Sequence, residues 1–161
     1  MKVTRANVFE TNSSSSHSLV IGRKQMVEKD FPEELVIYPG EFGWGPDYVT
    51  GPEDKTRYLV TGIQYLRPYI SDYEVYKALK VGETTQWELI SEIWKEYTNT
   101  TLIYKESSED EFWEKGYIDH QSVDICLDMW KCSEDRNKVK EKLKDFIFNN
   151  QYEINISNDN I

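Results

Sequence analysis

Polar and apolar residues alternate near both ends of the chain, as in strands that bury one face. KVTRANVFE predicts a strand over about residues 2–9, and HSLVIGR predicts a second over 17–23. ETNSSSS would connect the two as a hairpin, through a loop longer than the favoured two-residue turn. QYEINIS, which starts at residue 151, predicts a final strand, with residues 157–161 as a frayed tail.

Three central and C-terminal segments are predicted to be helices, the second by the three-to-four spacing of its apolar residues and the other two by signals at their ends. The first is PEDKTRYLVTGIQYL, residues 52–66, which has proline in its first turn and ends before Arg67-Pro68. The second is TTQWELISEIWKEYTN, and the third is SEDRNKVKEKLKDFIFNN, with Ser133 as its N-cap. KQMVEKDFPEEL suits a short helix, and SDYEVYKALKV suits either a helix or a strand.

The remaining pattern consists of isolated strands and one irregular segment. ELVIYPG, TTLIYKE and the start of YIDHQSVD favour strands, whereas GEFGWGPDYVTGPED is dense in glycine, proline and aromatic residues. In this segment Phe42 and Trp44 would fold onto the core, or Trp44 would offer a stacking surface to a ligand. Because the regular strand–helix alternation of a parallel α/β fold is missing, we predict an α+β fold. It would have a small, mainly antiparallel sheet packed by three or four helices.

The composition predicts one globular domain over residues 1–161. The chain of 161 residues is long enough to bury a core, and 39% of its residues are hydrophobic. Its formal net charge of −10 would repel nucleic-acid phosphates, so direct duplex binding is not expected. The acidity serves either solubility or a surface that faces a basic partner.

Location and cofactors are predicted from what the sequence patterns lack. No leader pattern and no membrane-length apolar run is evident, so we expect a cytoplasmic protein without membrane contact. Cys126 and Cys132 have the spacing of neither a zinc knuckle nor a redox motif, and they are interpreted as reduced structural thiols. No motif indicates a cofactor.

The serine run is the first candidate for a binding site. It lies between two predicted strands with no domain before it, so it is not a linker of the usual kind. Either it is an inert surface loop or it forms the wall of a polar pocket, because small hydroxyls and free backbone N–H groups can ring an anion. The wall would be formed by Asn12, Ser13, Ser14, Ser15 and Ser16. The run matches neither a phosphate-binding Walker loop nor a nucleophile elbow.

The two histidines are the candidate catalytic residues. His17 follows the serine run, and His120 lies in YIDHQSVD. Two imidazoles that meet across a fold can act as general base and general acid in phosphoester cleavage. Asp119 or Asp124 would orient His120.

Other residues would complete this site, and an alternative kind of site is also open. Ser122 would line the pocket, and Arg5 or Arg23 would hold phosphate oxygens. His120-Gln121-Ser122 resembles the His-x-Ser pattern of two-histidine phosphoesterases, whereas Leu19 breaks the pattern after His17. A metal site made by the histidines and their neighbouring aspartates is an open alternative.

RANVFETNSSSSHSLVI resembles the N-terminus of small uncharacterised proteins encoded by bacteriophages and related mobile elements. FGWG and GYIDHQS are similar to further parts of that pattern. The resemblance implies a bacterial cytoplasm during infection. It implies no particular activity and transfers no catalytic residue.

Two functions therefore compete. The first is a pocket, built by residues 12–17 and 119–122, that binds a phosphate-bearing small molecule or nucleotide and carries out phosphoester chemistry if it is an enzyme. The second is a non-catalytic acidic protein that binds and inhibits a basic host or defence protein.

Overall fold

The computed structural model describes residues 3–6, 15–21, 25–42, 47–66, 80–81, 84–105, 117–118 and 135–158. Within these ranges the helices are α1 (Pro52–Leu66), α2 (Gln86–Thr98) and α3 (Arg136–Phe148). The strands are β1 (Val3–Ala6), β2 (Ser15–Ile21), β3 (Glu34–Ile37), β4 (Glu41–Phe42), β5 (Asp47–Val49), β6 (Lys80–Val81), β7 (Thr84–Thr85), β8 (Thr101–Tyr104), β9 (Tyr117–Ile118) and β10 (Tyr152–Asn158).

Four of the strands form the main sheet, in the order β1-β2-β10-β5, with every neighbouring pair antiparallel. The other strands pair two by two: β3 with β8 and β4 with β9 in parallel, and β6 with β7 antiparallel. The mixed helix and strand content confirms the α+β prediction. The two parallel pairs join segments far apart in the chain, and sequence patterning does not reveal such partners.

An aromatic cluster forms part of the core, where the segment before β3 meets α2 and α3. Trp94 and Phe148 are fully buried, with ring centroids 4.9 Å apart. Phe31 meets Trp94 edge to face at 5.0 Å, and Tyr97 lies 4.6 Å from Phe148. Edge-to-face contact is favourable because the positive ring edge meets the negative ring face.

The predicted short helix in KQMVEKDFPEEL is wrong for residues 25–33, which form no helix. This segment satisfies its backbone against the end of α3 instead. Met26 makes an isolated antiparallel bridge with Asn149, and the Val27 N–H donates to the Phe148 carbonyl at 2.7 Å. Long-range pairing has replaced the local hydrogen bonds that a helix would need.

Two strands extend further than their sequence patterns predicted, because the added residues of one strand pair with those of the other. β2 begins at Ser15, so part of the serine run is strand rather than loop. β10 continues to Asn158, so Ser157 and Asn158 do not belong to a frayed tail. These ends pair together, with Ser15 opposite Asn158 and Ser16 opposite Ser157. Residues 159–161 lie outside the described residues.

Local sequence signals predicted the ends of α1 correctly but not the start of α3. α1 spans the predicted residues 52–66, with Pro52 at its first position. The N-cap of α3 is Asp135 rather than Ser133, because the Asp135 carboxylate accepts the Asn137 N–H at 3.0 Å. Phe42 is buried, as predicted, whereas Trp44 and the ambiguous segment at residues 71–79 lie outside the described residues.

Candidate functional site

One end of the main sheet carries the described part of the serine run, Ser15 and Ser16, together with His17. β1 finishes there at Ala6 and β2 starts there at Ser15, and the connection between them, residues 7–14, lies outside the described residues. β10 finishes there at Asn158 and β5 starts there at Asp47. We call this end the serine end, defined by Ala6, Asp47, residues 15–17 and residues 156–158. Asn12, Ser13 and Ser14 lie outside the described residues.

The register places His17 and Arg5 near each other in the backbone. His17 pairs with Ile156, which pairs on its other side with Asp47. Arg5 pairs with Leu19, two positions from His17. Diagonal positions of this kind in neighbouring antiparallel strands are about 7–8 Å apart. The sheet therefore brings two of the predicted residues, one basic and one titratable, to adjoining positions.

The sheet also divides the serine run. Ile154 and Val49 pair across β10 and β5 and are 0% and 1% exposed, which marks the core face of the sheet. Strand positions alternate between faces, so positions 15 and 17 lie on the same face as Ile154 and position 16 lies on the other. The run therefore does not form one uniform wall once it enters β2.

The second predicted segment begins just beyond β9. Asp119, His120, Ser122 and Asp124 lie outside the described residues, but Ile118 pairs with Phe42. Because β4 and β9 are parallel, the chain leaves both strands at the same end. From Phe42 it reaches Asp47 after four intervening residues, a span of at most about 18 Å. Ile118, the last described residue before His120, therefore lies beside Phe42, which is the last described residue before Asp47.

Polar residues of β10 and β5 were missed as candidates at this end. Asn155, Ser157, Asn158 and Asp47 reach it only because β10 lies between β2 and β5. Their alternation predicts a strand, but nothing local in the sequence indicates its neighbours. Asn155 is half-buried.

A buried lysine lies at another place in the fold, where α1 meets the end of α3. Lys55 is fully buried, and its ammonium donates to the Asn149 carbonyl at 2.7 Å. Burial lowers the pKa of Lys55 to about 8, against the opposing influence of the Glu153 carboxylate. A shifted pKa of this kind marks candidate catalytic groups, but this ammonium has no exposed surface through which to meet a ligand. We therefore assign Lys55 a structural role, in which its hydrogen bond holds the first turns of α1 against the end of α3. Nothing in the sequence indicates that this lysine is buried.

An open cleft of about 530 Å³ lies beside the aromatic cluster. Its lining consists of Val27, Glu28, Lys29, Asp30, Phe31, Tyr97 and Thr98. The cations Lys29 and Lys144 lie 5.5 and 5.3 Å from the ring centroids of Phe31 and Tyr97 respectively. The cleft contains none of the residues predicted for binding, and its charges of both signs select no single ligand class.

Comparisons with family models, with curated proteins and with solved structures find no match for this chain. Among the helices in the described ranges, none is long and apolar enough to cross a membrane. Across those same ranges, no group of three or more histidine, cysteine, aspartate or glutamate side chains is arranged to hold a metal ion. His120, Asp119 and Asp124, the other members of the metal alternative, are outside them.

Proposed function

We propose that this protein binds a phosphate-bearing small molecule or nucleotide at the serine end of the main sheet. The observation that supports this is the meeting of four strand ends there. Ser15, Ser16 and His17 begin β2 at this end of the sheet, and Arg5 of β1 is diagonal to His17. The setting would be a bacterial cytoplasm during infection, as the resemblance of the N-terminal segment implies.

The chemistry of these groups suits a phosphate. Serine hydroxyls and the backbone N–H groups of the connection supply hydrogen-bond donors without bulk. An arginine at position 5 supplies a planar, permanently charged donor that can hold two phosphate oxygens at once. The strong net negative charge disfavours a long polyanion, so a small ligand is the better candidate.

Phosphoester cleavage would use the two histidines together. One imidazole would remove the proton from the attacking hydroxyl or water, and the other would protonate the leaving oxygen. His17 and His120 are the only histidines available for this pair. Asp119 would orient His120, and Ser122 would contact the ligand.

Calorimetric titration of the full chain with pyrophosphate, ADP and NAD tests the proposal. We expect at least one of them to bind, with affinity reduced about tenfold or more in His17→Gln and in Arg5→Gln, because the first change removes an imidazole contact and the second a charge-assisted one. Arg57→Gln removes an arginine from α1, outside the main sheet, and is the matched control. Equal affinity in all three variants, or no binding by any of the three compounds, would contradict the proposal.

A second candidate function is the non-catalytic interaction protein. One observation favours it: Val36 in β3 and Tyr38, which directly follows the strand, are exposed at 38% and 44%. Exposed aromatic and β-branched residues close together are a common basis for protein contacts.

A further inference from the structure

β3 is paired along one edge by β8, and we call its other edge, with which no described strand pairs, the free edge. The Thr101 N–H donates to the Glu33 carbonyl at 2.8 Å, and the Lys105 N–H donates to the Ile37 carbonyl at 3.0 Å. Because alternate residues of a strand direct their backbone groups to opposite sides, Leu35 and Ile37 serve β8. The backbone groups of Glu34 and Val36 therefore face away from β8, where no strand among the described residues pairs with them.

The free edge has a defined length. At its C-terminal end the Arg57 side chain lies over the Tyr38 ring, 4.6 Å from the centroid, and its Nε donates to the Tyr38 carbonyl at 3.2 Å. This contact closes the edge after Tyr38. The open stretch is thus Glu34 to Val36 together with the Tyr38 N–H, and its residues are exposed at Glu34, Val36 and Tyr38.

The side chains along this stretch have a clear chemical order. Val36 and Tyr38 stand on the exposed face, whereas Ile37 is 1% exposed in the core. The charged residues that lead into the strand are exposed and mostly acidic: Glu28, Asp30, Glu33 and Glu34. Lys29 is the one lysine among residues 25–38. Lys95, the nearby cation of α2, donates to Thr101 on the β8 side and so lies away from the free edge. The edge is therefore negative at its N-terminal end and apolar in its middle, and the Arg57 cation bounds it at its C-terminal end.

We propose that the free edge of β3 receives an extended, basic segment of another protein, which adds to the β3–β8 pair as a further strand. Main-chain hydrogen bonds to Glu34 and Val36 would supply affinity, as in other cases of strand addition. An apolar residue would lie against Val36 and Tyr38, and a lysine or arginine would lie near Glu33 and Glu34. A second copy of this chain fits less well, because each copy has a net charge of −10 and the two would repel.

Peptide selection on two forms of the full chain tests this proposal. A displayed library of random peptides about nine residues long would be selected on the natural chain and on Val36→Pro. Proline removes the Val36 N–H that faces the free edge but leaves the β8 hydrogen bonds in place, since edge strands tolerate proline there. Circular dichroism would verify that the variant keeps its fold, and Val36→Thr, which keeps the N–H, is the matched control.

We expect the natural chain to enrich peptides that alternate apolar residues with lysine or arginine. A synthetic copy of the strongest peptide should bind Val36→Pro about tenfold more weakly, and Val36→Thr with little change. Glu33 and Glu34 are both exposed, and the double variant Glu33→Lys, Glu34→Lys should also bind the peptide more weakly, because like charges repel. On the natural chain the peptide should slow hydrogen exchange of the Glu34 and Val36 amides.

Three results would overturn the proposal. One is equal enrichment on the natural chain and on Val36→Pro. Another is selection of acidic or uncharged peptides that bind the double lysine variant unchanged. The third is a concentration-dependent dimer of the natural chain that Val36→Pro abolishes, which would assign the edge to self-pairing. None of these outcomes depends on phosphate binding at the serine end.

Discussion

The Lys55 ammonium donates a 2.7 Å hydrogen bond to the Asn149 carbonyl, and both residues are at least 98% removed from solvent. The contact joins the first turns of α1 to the point where α3 gives way to β10. The Asn149 side chain continues the junction, because its Oδ1 accepts the N–H groups of Gln25 and Gln151. A single buried carbonyl and a single asparagine side chain thus connect three segments of the chain.

The buried lysine makes stability depend on pH in the alkaline range. Its pKa is about 8 in the folded protein, mainly through burial, against an ordinary 10.5. Between these values the unfolded chain holds a proton that the folded chain has released, so the free energy of unfolding rises with pH. We expect the natural protein to gain roughly 2–3 kcal/mol relative to Lys55→Met between pH 7.5 and 10.

Urea unfolding at several pH values measures this difference. Lys138→Met removes an exposed lysine of α3 and is the control for loss of one positive charge. Parallel pH profiles for the natural protein and Lys55→Met would show that burial of Lys55 does not govern the effect.

Glu92 is the centre of an ion cluster between α2 and α3. It accepts hydrogen bonds from Arg136 and from Lys140, the latter at 2.7 Å, and Lys140 also reaches Glu96 at 2.6 Å. The hydrogen bond from Arg136, followed by that from Lys140, lowers the pKa of Glu92 to about 2. Because the Glu92 side chain is 33% exposed, solvent screening reduces the benefit to about 1 kcal/mol.

The stability that Glu92 contributes should disappear in acid. A lowered carboxyl pKa contributes stability above the unfolded-state value, near 4.5, and loses it as pH falls toward 2. Glu92→Gln should therefore lower the free energy of unfolding by about 1 kcal/mol at pH 7 and by little at pH 2.5. Glu141→Gln, an exposed site on α3, makes the same charge change as a control. An equal loss at both pH values would contradict this account.

A buried hydroxyl satisfies the largest side chain of the core. The Trp94 indole N–H donates to Thr56 Oγ1 at 2.9 Å, and that hydroxyl donates to the Pro52 carbonyl at 2.7 Å. Thr56→Val keeps the shape but leaves the indole N–H unpaired, so we expect a loss of about 1–3 kcal/mol in urea unfolding. Thr56→Ser keeps the hydroxyl and should lose less. If valine proves no worse than serine, the hydrogen bond is not what matters at this position.

Sequence patterning predicted those parts of the fold that depend on local signals. The bounds of α1 follow from Pro52 and the apolar spacing behind it, and both strands of the hairpin follow from alternation. Sequence patterning was wrong where pairing with residues distant in the chain determines the local structure. Residues 25–33 pair with the end of α3, and Ser15 and Asn158 are extended because they pair with each other.

From the sequence, only the residue types of the candidate site could be predicted, not their arrangement in space. Serine and histidine in one segment indicate polar chemistry, but the register that sets Arg5 diagonal to His17 depends on strand order. The same holds for Asp47 and the end of β10, which reach the serine end through non-local pairing. The free edge of β3 had no local signal either, because ELVIYPG predicts a strand but does not indicate its neighbours.

The central claim is that both histidines contact one phosphate-bearing ligand at the serine end. The chain has two histidines, so their imidazole ¹H–¹⁵N spectrum contains only two sets of signals. We would titrate the full chain with pyrophosphate, ADP and NAD in turn, assign each set with His17→Gln and His120→Gln, and repeat the titration of the compound that binds on Arg5→Gln. The account predicts that both sets shift with one common Kd, and that Arg5→Gln weakens it. If neither set shifts with any of the three compounds up to about 10 mM, or if only one set does, the two-histidine pocket is contradicted.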